Sequence, residues 1–374
     1  MSKGNSVLLE EWPFAVAVLT TLLFLLFGKP WLADFSNVWW LVLMSAWLFG
    51  AMMTSAFGVV RHAEALADKL GEPLGTLILT LAVTGMEVMM IAAIMYYDPS
   101  NATLARDAMF AVVMIVLNGM VGLSLLLGGL RYQEQIHNLQ GANAFLAVIL
   151  PLAVLGLVLP NFTVSTPGPI LSSMQSMFLI VMSLVLYGVF LAIQTGVHRD
   201  YFVSPDVQGG PKATAAHTHI HGATRSVSYH TVLLLLYSVP VVVLSKQMAA
   251  PVNHVINSLD APPALGGFIV SVLILSPEAL TATRAALANE LQRSVNILLG
   301  SVLASISLTI PIVLALAFLA NRTIVLGLDS VDTTQLVLAL GLSMLTFGSV
   351  RTNALLGAVH LLLFLTYLLL MFER

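Results

Sequence analysis

Apolar runs about as long as a bilayer is thick recur from one end of this chain to the other, and they leave little choice of fold. A helix crosses the hydrocarbon core with about 20 apolar residues. Such runs occupy 13–28, 37–60, 74–97, 107–130, 143–160, 170–196, 229–249, 264–287, 294–320, 333–350 and 354–372. Within hydrocarbon every backbone N–H and C=O must be paired inside the protein, which a helix does by itself. Only 9% of the 374 residues are charged and 58% are hydrophobic; soluble domains carry about 25% charge. The expectation is an all-α polytopic membrane protein of eleven transmembrane helices, with the lipid bilayer as its main partner. The net charge of −3 marks no polar partner, and nothing calls for nucleic acid. The absence of cysteine excludes disulfides and thiolate metal sites. The first run follows Glu10 and Glu11 rather than a basic stretch, so it reads as a short retained helix and not a signal peptide.

Lys and Arg sort by side. Loops on the N-terminal side hold ten of them and the opposite side holds five. The positive-inside rule then places the N-terminus in the cytoplasm, and an odd number of helices leaves the C-terminus outside. The longest connection, 197–228, is rich in Gly, Pro, Ala and Thr and reads as a flexible loop. It separates 37–196 from 229–373, five helices each, with one extra helix in front. These halves share a pattern. Gly75 precedes Glu87 by twelve residues, and Gly266 precedes Glu278 by the same twelve. Pro73 and Pro263 open the two helices, a position proline favours. The two helices run in opposite directions, so the halves read as inverted five-helix repeats, the architecture of many secondary transporters.

Of 18 Asp and Glu residues, only Glu87 and Glu278 fall deep inside spans. Each lies about 20 Å along its helix at 1.5 Å per residue, where an ionised side chain costs at least about 2.5–3.5 kcal/mol. Two such residues at matched repeat positions point to a proton- and cation-binding pair. Next to the second, LSPEAL places Pro277, which has no N–H, four residues after Leu273. The Leu273 carbonyl therefore loses its helical donor, and a kink or opening is expected there. Carboxylate, carbonyl and hydroxyl oxygens together suit hard cations. Supporting ligand or packing candidates are Thr84, one turn before Glu87, with Asn118, Leu273, Ser276, Pro277, Ser301 and Ser305.

Other motifs carry less. HTHIH, with His217, His219 and His221, has no zinc-ligand spacing and reads as solvated linker. His230 and His360 read as lone packed or interfacial residues. No HExxH, paired-aspartate or serine-nucleophile motif suggests an enzyme.

Several stretches together resemble the cation/proton exchanger branch of the calcium/cation antiporter superfamily. RHAEALADKLGEPLGTLILTLAVTGMEV (61–88) is similar to the segment leading into that family's first glutamate. LILSPEALTATRAALANELQRSVNILLGSVLASISLTIPIVL (273–314) is similar to its second glutamate region and the following helix. LYGVFLAIQTGVHRDYF (186–202) and RTNALLGAVHLLLFLTYLLL (351–370) resemble two further family segments, in the same order. Val83-Thr84 and Ile274-Leu275 stand where the broader family has Gly-Asn, and Ala304 where it has Gln. The resemblance implies a bacterial inner-membrane antiporter, with no cofactor, that moves Ca²⁺, Na⁺ or K⁺ against H⁺ by alternating access. Glu87 and Glu278 take the places of the family glutamates. The alternative reading of the residues is a cation channel with an acidic midplane site.

Overall fold

The computed structural model describes residues 11–70, 74–97, 102–205, 225–258 and 260–373. Pro73 and the HTHIH histidines lie outside the described residues. Eleven long helices appear among the described residues: α1 (Trp12–Trp31), α2 (Val38–Leu70), α3 (Leu74–Tyr97), α4 (Leu104–Tyr132), α5 (Leu139–Asn161), α6 (Ser173–Val197), α7 (Val227–Ser258), α8 (Ala264–Leu287), α9 (Leu291–Leu319), α10 (Ser330–Phe347) and α11 (Ala354–Phe372). Ten are long and apolar enough to cross a membrane, and α3 contributes the apolar stretch Leu81–Ala92.

Helix boundaries follow polar caps rather than the edges of the apolar runs. The Asn138 side chain accepts from the Gln140 N–H, so α5 starts at Leu139 and not at 143. Ser172 and Gln175 form a reciprocal capping box that starts α6 at Ser173. Asp329 caps α10 through the Asp332 N–H, three residues earlier than the apolar run suggests. The first helix is a full span of 20 residues, not a short one. The larger departures are α2 and α7, of 33 and 32 residues. At 1.5 Å per residue each is about 50 Å long, well beyond the roughly 30 Å hydrocarbon core. The sequence RHAEALADKL after the α2 apolar run has good helix formers and no breaker, so the helix continues past Arg61.

The contacts divide the chain into two compact units, Met1–Ser100 with His221–Pro277, and Asn101–Ile220 with Glu278–Arg374. Each unit draws on both halves of the sequence. The first unit holds α1, α2, α3, α7 and the start of α8. Its core includes Phe24, Met44, Leu48, Met52, Met86, Tyr237, Leu244 and Leu273. Helices α2 and α7 pack closely because Gly58 leaves room for the Tyr237 ring; a Cβ at Gly58 would meet that ring at 2.3 Å.

The second unit holds the remaining helices. Here α4 and α11 approach backbone to backbone at Gly122 and Gly357, where small residues replace the packing that lipid-like side chains cannot supply. The chain leaving α4 forms a short strand, β1 (Glu134–Ile136), antiparallel to β2 (Arg351–Asn353) before α11. Four helices in this unit contain a π-helical segment: Ile115–Met120 in α4, Val154–Val158 in α5, Ile193–Val197 in α6 and Ser305–Thr309 in α9. Neither the strands nor the π segments are foreseen by hydropathy.

Candidate functional site

Glu87 sits on α3 in the first unit and is 1% exposed, with Thr84 buried one turn earlier. Neither side chain faces lipid. Glu278 opens the second unit's share of α8. Its Oε2 accepts a hydrogen bond from the Ser301 hydroxyl of α9 at 2.5 Å. The carboxylate and the hydroxyl place two oxygen donors side by side, a set suited to a hard cation.

Around Pro277 the structure corrects the expected opening. α8 is helical without a break from Ala264 to Leu287. Proline still removes the donor for the Leu273 carbonyl. One residue earlier, Ser276 donates its hydroxyl to the Val272 carbonyl at 2.5 Å. This is the i−4 back-bond that Ser and Thr make inside helices. It occupies the Ser276 hydroxyl within its own helix. Leu273 itself is buried in the first unit's core.

Asn118 lies within the π segment of α4, fully buried. Its Oδ1 is 3.3 Å from His360 Nδ1 of α11, and His360 Nε2 is 2.9 Å from Thr346 Oγ1 of α10. An amide oxygen accepts only, so His360 donates from Nδ1 and accepts the Thr346 hydroxyl at Nε2. This neutral ring satisfies both partners and joins three helices. Asn118 Nδ2 also reaches the Met114 sulfur at 3.5 Å. His360 is therefore not a lone residue. Nor is His230, whose Nδ1 is 3.0 Å from Nδ1 of His62.

Ser305 begins the π segment of α9, and Ser307 within it has a buried hydroxyl with no partner among the described residues. The π segment of α4 packs on the first part of α9, and that of α9 packs on the first part of α4. A π turn widens the helix by one residue and leaves carbonyls poorly paired, and such turns are frequent at functional sites. In α9 the cause is legible: Pro311 follows and withholds an N–H from the Ser307 carbonyl. In α4 the only sequence hint is the small pair Asn118-Gly119 inside an apolar run.

The sodium/calcium exchanger protein family profile matches residues 39–196 and 229–373. The chain belongs to the sodium/calcium exchanger family. Among curated members, the chain is 41% identical to the putative ionic transporter y4hA of Sinorhizobium fredii, over 88% of each protein. It is 39% identical to the sodium-potassium/proton antiporter ChaA of Escherichia coli, over 86% of each. Among solved structures, the Ca²⁺/H⁺ antiporter protein YfkE superposes with a TM-score of 0.72 at 17% identity, covering 97% of this chain and 100% of that one. At that identity the likeness speaks for the fold. The exchanger is an all-α polytopic membrane protein, with eleven long helices among the described residues and two inverted five-helix repeats preceded by one extra helix. It is a multi-pass antiporter of the cation exchangers.

Proposed function

We propose that this exchanger exports Na⁺, K⁺ or Ca²⁺ in return for protons, with Glu87 and Glu278 alternately protonated and cation-bound. The observation that carries the reading is the pair of carboxylates deep in α3 and α8, one of them engaged by a hydroxyl. Burial disfavours a lone carboxylate charge, so an empty site holds protons; a cation restores the charged form and displaces them. The two occupancies exclude each other, which couples the flows. Helices around the site then alternate its exposure to the two sides. The repeats are taken as 37–196 and 229–373, the N-terminus as cytoplasmic and the C-terminus as external. Identity to a sodium-potassium/proton antiporter favours the monovalent ions. Where the broader family has Asn, Leu275 offers no side-chain oxygen and Thr84 offers a hydroxyl in place of an amide carbonyl, which points the same way.

The test is cation-driven proton flux in proteoliposomes, with Na⁺, K⁺ and Ca²⁺ supplied one at a time. An imposed proton gradient should drive the cation uphill. Downhill cation flow that never couples to protons would mean a channel. Within this mechanism, Ser301→Ala removes a hydrogen bond to an ionised partner, worth about 1.5–3 kcal/mol. Apparent cation affinity should fall about tenfold or more, since about 1.4 kcal/mol is a factor of ten. Ser301→Thr keeps the hydroxyl and should stay near wild type. Equal affinity in Ser301→Ala would remove Ser301 from the site.

A further inference from the structure

A second group of buried titratable side chains lies in the first unit, where α1, α2 and α7 meet. Glu11, just before α1, accepts hydrogen bonds from Arg61 of α2 and from the hydroxyls of Tyr229 and Tyr237 of α7, the latter two at 2.9 Å. Burial alone would raise the Glu11 pKa; the two tyrosine hydroxyls and the Arg61 charge outweigh it and hold the carboxyl below its usual range. Arg61 also reaches His62 Nε2 at 3.3 Å, and His62 Nδ1 faces His230 Nδ1 at 3.0 Å. Both rings are buried, 2% and 7% exposed, while the Arg61 side chain beside them is 46% exposed.

The proton positions follow in sequence. A guanidinium only donates, so His62 accepts at Nε2 and must carry its proton on Nδ1. His230 then accepts at Nδ1 and carries its proton on Nε2, a buried atom with no partner among the described residues. The chain closes with both rings neutral, and a first added proton still leaves one Nδ1–H bridging the rings. A proton added to His62 sets Nε2–H against the Arg61 donor and turns the ring toward Glu11 Oε2, 3.6 Å away. Once both rings carry an added proton, two N–H groups stand against each other across 3.0 Å, and the rings must part. The other charges the rings face are Lys69 of α2 and Arg225 before α7, both repelling a further proton. On α3, which packs on α2 and α7, the acidic residue is Glu87, about 20 Å along the helix.

We propose that the His62–His230 pair is a second proton-binding site, separate from the transport glutamates, whose full protonation parts α2 from α7 and slows exchange. The slowing rests on the antiport reading; the parting does not. The test uses the full-length protein, with His62→Gln and His230→Gln, which keep hydrogen bonding but cannot titrate. Hydrogen–deuterium exchange of peptides covering 55–65 and 227–240, corrected for intrinsic rates, is compared at about pH 8 and pH 4, below the ordinary histidine range because burial and the charges of Arg61, Lys69 and Arg225 disfavour added protons. Wild-type protection should fall about tenfold in acid, as the loss of one hydrogen-bonded contact allows. Each Gln variant should be insensitive to pH. Proton flux should match wild type at the higher pH and decline less in acid. Protection that is unchanged in wild type, or that drops equally in both variants, overturns the site. A wild type that shows no exchange with any cation overturns the antiport reading and leaves the protection measurement to decide the site.

Discussion

Glu87→Gln and Glu278→Gln should each abolish proton-coupled cation transport at every pH while leaving the protein folded. Glutamine keeps the volume and most of the hydrogen bonding of a protonated glutamic acid, so insertion and packing are spared. What it loses is the charge. A cation loses an ionic ligand, and at Glu278 the Ser301 hydroxyl loses its charged partner, about 1.5–3 kcal/mol or roughly ten- to a hundredfold in affinity. The larger loss is coupling: a group that cannot release a proton cannot exchange one for a cation. The measurement is flux in proteoliposomes at several pH values, with size-exclusion chromatography and thermal unfolding as the folding check. A folded variant that still exchanges at near wild-type rate sinks the two-glutamate mechanism. Pro277→Ala is the milder companion. It restores an N–H for the Leu273 carbonyl without touching the charge, and in an already continuous α8 it should leave turnover largely intact.

The second large effect is expected at Gly357. A Cβ there would lie 2.4 Å from the Leu126 nitrogen, 2.8 Å from the Gly122 carbonyl oxygen and 2.9 Å from the Leu125 carbonyl carbon. All three are backbone atoms of α4, so no side chain can swing aside. Overpacking of a core typically costs about 1–3 kcal/mol when neighbours relax. Gly357→Leu should exceed that range, separating α11 from α4 and lowering the thermal midpoint sharply. Gly341→Ala is the control, because nothing lies within 4 Å of a Cβ at that position. Alanine there should be neutral or stabilise by several tenths of a kcal/mol, as helix propensity dictates. Equal unfolding midpoints for the two variants would mean that α4 and α11 are not held at this contact.

Much of the fold is legible in the sequence because the bilayer acts residue by residue. Hydropathy is a local free energy, so the apolar helices can be read without knowing any contact. The same reasoning isolates Glu87 and Glu278, since a carboxylate in hydrocarbon stands out wherever it packs. Helix starts lie a few residues away from the edges of the apolar runs where Asn138, Ser172 and Asp329 supply caps, although those residues are visible in the chain. Only the tertiary structure assigns α2 and α3 to one compact unit with α7 and the start of α8, because that choice depends on which faces meet. It alone shows the π segment at Asn118, the glycine contact of α4 with α11, and the Ser301 hydroxyl on Glu278. His62 and His230, 168 residues apart, look like unrelated lone histidines until α2 and α7 come together. What a side chain costs in the membrane is written in its own type and position. What it bonds to is set by packing between distant segments, and no local pattern encodes that.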